Sequence, residues 1–194
     1  MFSYFGIVSL LKVNYNYNHK LELGGVVMCL KFRKLSIDDG RDIYEMLQEL
    51  PADENGFINS VKGKTFDEYK EWLKQSAKDS EQSGIVDGWR VPQTTFWLFE
   101  DNSPVGYGKV RHFLTETLLE DGGNVGYTIR PSARNRGLGK RLLLFLIGES
   151  KEIGIDKLLL TIRNHNEPSI HVALANGGEI EKITADKHYI WIEP

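Results

Sequence analysis

Residues 125–146 constrain this chain more than any other stretch. Val125-Gly126-Tyr127-Thr128-Ile129-Arg130 has the composition of a strand, Pro131 to Lys140 is a short basic loop with two glycines, and Arg141-Leu142-Leu143-Leu144-Phe145-Leu146 continues as an apolar helix. A helix N-terminus presents backbone N–H groups without internal partners and a partial positive charge. Gly137 and Gly139 let an anion approach the backbone closely, and Arg134, Arg136, Lys140 and Arg141 add positive charge. The turn reads as a seat for a phosphate or pyrophosphate.

Two familiar phosphate loops do not fit. A G-x-x-x-x-G-K-[ST] loop ending on Gly139-Lys140 would need glycine where Arg134 stands, and Ser or Thr where Arg141 stands. A G-x-G-x-x-G dinucleotide loop would need glycine at Leu142. The spacing Arg134-x-x-Gly137-x-Gly139, after a strand and opening a helix, does fit the pattern [RQ]-x-x-G-x-[GA]. A second segment supports it: Asn166, Ser169 and Gly177 match N-x-x-[AS], a short helix and a following glycine. On these residues the chain resembles the GNAT N-acetyltransferases, in particular an uncharacterised bacterial subset, over roughly Leu30 to Ile192. The resemblance implies an α/β fold with a mixed, partly splayed seven-stranded sheet flanked by about four helices. It also implies acetyl-CoA as co-substrate, with pyrophosphate on the Arg134, Asn135, Arg136, Gly137, Leu138, Gly139 and Lys140 turn. The pantetheine arm would lie strand-like along Tyr127, Thr128 and Ile129, and Asn166 and Ser169 would touch it or the adenosine side.

Totals bound the rest. A chain of 194 residues is one domain by length. A net charge of −3 gives no reason to expect nucleic acid. No apolar run approaches membrane-spanning length, and no Cys/His cluster has metal-ligand spacing, so neither a membrane nor a metal is expected. The lone Cys29 permits no internal disulfide and suits a reducing cytoplasm. Residues 1–27 stand apart. Phe2 to Leu11 is apolar but makes a poor signal peptide, and Asn14 to Asn18 has no helical period. The clean pattern begins near Met28, and Gly24-Gly25 could be encoded by a ribosome-binding sequence. The expected division is therefore an extension over 1–27, with Met28 as the natural start, and one domain over 28–194. A native mass matching 1–194 would refute that start.

Leu30–Leu35 reads as a strand. Ser36-Ile37-Asp38-Asp39 reads as a helix start with Ser36 as N-cap, followed by a face of Ile43, Met46, Leu47 and Leu50. Thr65-Phe66-Asp67-Glu68 is a capping box opening a second helix with Phe66, Tyr69, Trp72 and Leu73 on one side. Residues 94–113 read as a hairpin across Asp101-Asn102-Ser103-Pro104. Gly137 to about Ile153 is the long helix, stopped by Gly154. Asp156–Arg163 has the apolar run of a central parallel strand. Glu179–Thr184 and His188–Ile192 form a last hairpin, and the alternation in Tyr189–Ile192 would allow edge pairing into a homodimer.

For chemistry, acetyl transfer needs a held thioester, a neutral amine and a stabilised or protonated thiolate. The family's usual acid, a tyrosine four residues after the [AS] position, is replaced here by Ala173. That departure leaves solvent, another side chain or no specific acid, and it also permits a non-catalytic acyl-CoA binder. Candidate bases are His112, Glu116, Glu120 and Asp121, with His112 and Glu116 foremost; a His titrates near neutrality. Asp53, Glu54, Asn55 and Asn59 are candidate acceptor contacts or a solvated loop. Acidic residues in this region would favour a cationic amine. The expected reaction is acetylation of a small-molecule primary amine, with protein N-termini or lysines as the alternative acceptor.

Overall fold

The computed structural model describes residues 17–23, 26–81 and 88–194, with side chains from Cys29 onward. Phe2–Leu11 and Gly24-Gly25 lie outside the described residues. Tyr17–Leu23 (β1) pairs antiparallel with Val26–Lys34 (β2), Tyr17 opposite Phe32. The strand expected from Leu30 thus begins earlier, at Val26, and has a partner in the segment read as patternless.

β2 pairs with Gln93–Glu100 (β5), β5 with Ser103–Arg111 (β6), and β6 with Val125–Ile129 (β7), all antiparallel. These strands form one sheet in the order β1-β2-β5-β6-β7. Asp53–Glu54 (β3) and Phe57–Ile58 (β4) form a small ribbon. Leu158–Arg163 (β8), Glu179–Ile183 (β9) and Lys187–Ile192 (β10) form a second sheet in the order β8-β10-β9. Five α-helices are found among the described residues: Arg41–Glu49 (α1), Phe66–Glu81 (α2), Glu116–Glu120 (α3), Leu138–Ile153 (α4) and Glu167–Leu174 (α5).

The expected α/β class is observed, but the strands do not make one seven-stranded sheet, and the helices number five rather than about four. β7 and β8 meet at one point. Asn124 N–H donates to Leu159 O at 2.8 Å, and Leu159 N–H donates to Asn124 Oδ1 at 2.9 Å. No ladder joins the two strands beyond that point. β8 is therefore an edge strand rather than a central parallel one. Its apolar run is explained by Leu158, Leu160 and Ile162, which enter the core shared with α4.

β5 shows why the first sheet is covered on both faces. Successive side chains of a strand point to opposite sides. Phe96 and Leu98 join the cluster with Leu142, Leu143 and Leu146 of α4. Trp97 and Phe99 join the cluster with Ile43, Met46 and Leu47 of α1 and Tyr69 and Leu73 of α2. Burying each large apolar side chain favours folding by about 1.5–3 kcal/mol. α4 approaches β6 closely because β6 carries glycines there: a Cβ on Gly108 would lie 2.8 Å from Leu146 Cδ2.

α1 begins at Arg41, not at Ser36. Asp39, expected in the first turn of that helix, is buried outside it. It pairs with Arg33 at 2.7 Å and accepts from Trp97 Nε1 at 2.7 Å. Ser36–Asp39 forms a turn instead, with Asp38 N–H donating to Ser36 Oγ. The capping box of α2 forms as expected: Thr65 N–H donates to Glu68 Oε2, and Glu68 N–H to Thr65 Oγ1. β10 lies between β8 and β9, so both its edges are taken and dimer pairing through Tyr189–Ile192 has no free edge to use. No helix among the described residues is long and apolar enough to cross a membrane.

Candidate functional site

Where β7 and β8 part, a cavity of about 450 Å³ opens between β7, the basic loop, the start of α4 and α5. The loop is built for a close-approaching anion. Gly137, the residue before α4, has φ 75°, and Asn135 has φ 62°. The first bond of the helix is Arg141 N–H to Gly137 O, so the amides of Leu138, Gly139 and Lys140 precede the ladder. Nothing stands within 4 Å of a Cβ built on Gly137, which leaves its front open.

β7 supplies the opposite wall. It is the last strand of its sheet. Arg130 N–H donates to Val105 O on the β6 side, and alternation turns the backbone groups of Tyr127 and Ile129 outward. Ile129 O accepts from Arg134 Nε at 2.9 Å. An extended ligand could pair with this free edge as an added strand does.

Most of the residues read from the sequence come together here. Tyr127, Thr128 and Ile129 line the cavity from β7, and Arg134, Asn135 and Gly137 from the loop. Leu138, Gly139 and Lys140 line it from α4, and Asn166 and Ser169 from the start of α5. Arg136 does not line it; its guanidinium turns to Glu100 at 2.7 Å. Arg134 is at the cavity but is held by Glu54, both carboxylate oxygens accepting from it at 2.8 and 2.6 Å. Its charge ties the loop to the β3–β4 ribbon rather than standing free. Lys140 is the lining cation without an ion pair among the described residues. His165 and Asn55 also line the cavity and are joined at 2.9 Å. The sequence marked Asn55 only as an acceptor contact and gave His165 no role.

A second cavity, about 230 Å³, opens on the other side of β7 under the ribbon. The two share a wall of Glu54, Asn55, Tyr127, Asn166 and Ser169. On that wall Tyr127 Oη lies 3.0 Å from Ser169 Oγ. Burial pushes the Tyr127 hydroxyl up to about 12, against a smaller opposing effect of the Ser169 bond. Ala173 is fully buried in the core beneath α5.

The structure does not bring His112 or Glu116 to either cavity. On β6 the Cα atoms of Gly106 and Gly108 and the side chain of Val110 face α4, and His112 follows just beyond the strand's end. Its Nε2 lies 2.8 Å from Thr94 Oγ1, and burial, then nearby Lys34, lowers its pKa. Glu116 opens α3 behind the Thr115 cap. Of the proposed acceptor contacts, Glu54 and Asn55 line both cavities. Asn59 is buried and donates to Leu47 O at 2.7 Å, closing the end of α1. Asp53 caps the ribbon turn through Gly56 N–H. No group of metal-ligating side chains occurs among the described residues.

Comparisons with known proteins agree with one another. The model of the acetyltransferase (GNAT) family matches residues 54–177. The chain is similar in structure to a GNAT acetyltransferase from Streptococcus pneumoniae, at 19% identity and TM-score 0.56, over 84% of this chain and 98% of that one. It is similar to Campylobacter jejuni N-acetyltransferase PseH in complex with acetyl coenzyme A, at 14% identity and TM-score 0.54, over 84% and 98%. It is also similar to RimL, a ribosomal L7/L12 alpha-N-protein acetyltransferase in complex with coenzyme A, at 14% identity and TM-score 0.64, over 84% and 93%. The search of curated proteins finds no match.

Proposed function

The chain belongs to the acetyltransferase (GNAT) family, and from that premise we propose that it moves an acetyl group from acetyl-CoA to the primary amine of a small molecule. The observation that carries this reading is the pair of cavities sharing the wall of Tyr127 and Ser169. One holds an anion-binding helix start and a free strand edge. The other, about 230 Å³ under the ribbon, has the size of a small amine, and RimL, a ribosomal L7/L12 alpha-N-protein acetyltransferase, keeps a protein N-terminus as the alternative acceptor.

The residues present fit acetyl-CoA. The amides of Leu138, Gly139 and Lys140, with the Lys140 ammonium, suit a pyrophosphate. The outward backbone of Tyr127 and Ile129 suits the pantetheine amides. An N–H of that edge is positioned to polarise a thioester carbonyl.

The thioester supplies an activated acyl carbon. In the reaction a C–N bond forms as the C–S bond breaks, one proton leaves the amine nitrogen, and one returns to the sulfur. Tyr127 is our candidate for the second proton. It stays protonated at neutral pH and stands on the shared wall beside Ser169 of α5, whereas Ala173, at the family's usual acid position, is buried and lines neither cavity. His112 and Glu116 line neither cavity, and Asp121, which lines the second, is paired with Lys187, so water in that cavity is the simplest carrier of the first proton.

The test is titration calorimetry of acetyl-CoA into the wild type and Gly137→Glu. A Cβ at Gly137 meets no atom within 4 Å, and although φ 75° strains any residue other than glycine there by about 1–2 kcal/mol, the added carboxylate sets a negative charge beside the anion's place. Binding is expected in the wild type and lost in the variant, while circular dichroism is unchanged. Equal binding by both would refute the loop assignment.

A further inference from the structure

The second cavity has an electrostatic character opposite to the one expected from the acidic residues of the sequence. Lys109 and Arg111 of β6, Arg163 of β8 and Lys187 of β10 line it, against only Glu54 and Asp121. Both acids are already engaged. Glu54 is held by Arg134, and Asp121 pairs with Lys187 at 3.0 Å. Asp53, Glu116 and Glu120 do not line the cavity.

Three lining cations make no close ion pair among the described residues, Lys109, Arg111 and Arg163, although the Asp121 carboxylate acts on Arg111 at longer range. Lys109 and Arg111 are two apart on one strand, so they project from the same face. Lys109 Nζ donates to Ile58 O at 2.8 Å and lies 4.9 Å from the ring centres of Phe57 and Tyr107. Arg111 Nη1 donates to Gly122 O and Gly123 O, each at 3.0 Å. These contacts place the two side chains but neutralise neither, and they leave donors over on both. Burial, and then its neighbour Arg111, lowers the Lys109 ammonium to about 7; burial lowers Arg111 as well, against a smaller opposing effect of Asp121. Adjacent like charges in an enclosed site are costly unless an anion joins them.

We propose that the acceptor is an amine that also carries an anionic oxyacid group, carboxylate or phosphate, which Lys109 and Arg111 receive. The amine would then point to the wall of Tyr127 and Ser169. Arg163, exposed at the cavity rim, would draw such a substrate in. The inference rests on the preceding reading, in which acetyl-CoA occupies the neighbouring cavity.

The experiment first measures acetyl-CoA binding by calorimetry, then follows thiol release with matched amines on the same sample. The carboxylate arm compares amino acids with their amides. The phosphate arm compares phosphoethanolamine with ethanolamine, and spermidine represents a cationic acceptor. The expected result is kcat/KM at least tenfold higher for the acid-bearing member of one pair. Lys109→Gln keeps a donor for Ile58 O and should raise KM for that substrate about tenfold, with acetyl-CoA affinity unchanged. Arg163→Gln, which carries no folding burden, should raise KM by a smaller factor. Acetyl-CoA binding with equal or better turnover of amides, ethanolamine or spermidine, or with no turnover of any acid-bearing amine, overturns the inference alone. Failure to bind acetyl-CoA overturns both readings.

Discussion

Tyr127 and Lys109 are the residues on which function is expected to turn. Tyr127→Phe removes one hydroxyl from the shared wall and leaves the ring packed. Loss of a positioned proton donor costs about a hundredfold or more where the donor is needed. The expected outcome is a fall in kcat of at least tenfold with little change in acetyl-CoA affinity. His112→Ala serves as the control: its imidazole bonds Thr94 away from both cavities, so turnover should stay within about twofold. Lys109 makes a prediction about pH. Its pKa falls from 10.5 in the unfolded chain to about 7 in the folded one. Between those values the unfolded state binds the extra proton, so folding stability should rise with pH across that window. Below about pH 7 both states are protonated and the dependence should vanish. Arg111, Arg163, Lys187, Asp121 and Glu54 face the same cavity, so the comparison must be with Lys109→Gln. Denaturation from pH 6 to 9.5 should show the wild type gaining stability relative to that variant above pH 7.

The place where the two sheets part is decided by a few backbone contacts at the start of β7. Gly123 has φ 57°, and a Cβ there would lie 2.3 Å from Leu159 O. Asn124 bonds Leu159 through backbone and side chain, and Gly122 N–H donates to Thr161 Oγ1 at 2.8 Å. Gly123→Ala would force these groups apart, at a cost of about 2 kcal/mol or more. A lower melting temperature is expected, together with weaker acetyl-CoA binding, because the same contacts set the width of the cleft. A variant as stable as the wild type would show that the junction yields freely. Other elements follow their local patterns closely. The capping box at Thr65 and the apolar period of α4 are short-range signals, and both elements lie where those signals put them. The start of α1 is different. Ser36 has every local mark of a cap, but Asp39 gains more by reaching Arg33 and Trp97 than by facing solvent in a first turn.

At the scale of the molecule the two cavities lie beside the opening between the sheets and share a wall that includes Tyr127 of β7 and Ser169 of α5. A ligand seated there binds the folded state only, so it should stabilise the protein as a whole. Acetyl-CoA at one hundred times its Kd should add about 2.7 kcal/mol. Thermal melts with and without acetyl-CoA should show that gain in the wild type and its loss in Gly137→Glu. A ligand-independent melting temperature would mean that the cleft is not an acetyl-CoA site.

The sequence by itself determined the loop, the helix it opens, the second motif at Asn166 and, through them, the family. Each is written in residues close together along the chain, where glycine placement, charge and apolar period act locally. The tertiary structure alone decided what those residues have as neighbours. Arg134 and Glu54 are 80 residues apart, and no local pattern says that the loop's arginine is held by a ribbon carboxylate. His112 and Arg111 are adjacent in sequence, yet His112 bonds Thr94 of β5 and Arg111 lines the second cavity. Which face of β6 looks at which layer depends on where α4 packs. The charge of the second cavity was likewise hidden. Its acids are neutralised and its cations gathered by strands β6, β8 and β10, which only the folded chain brings together.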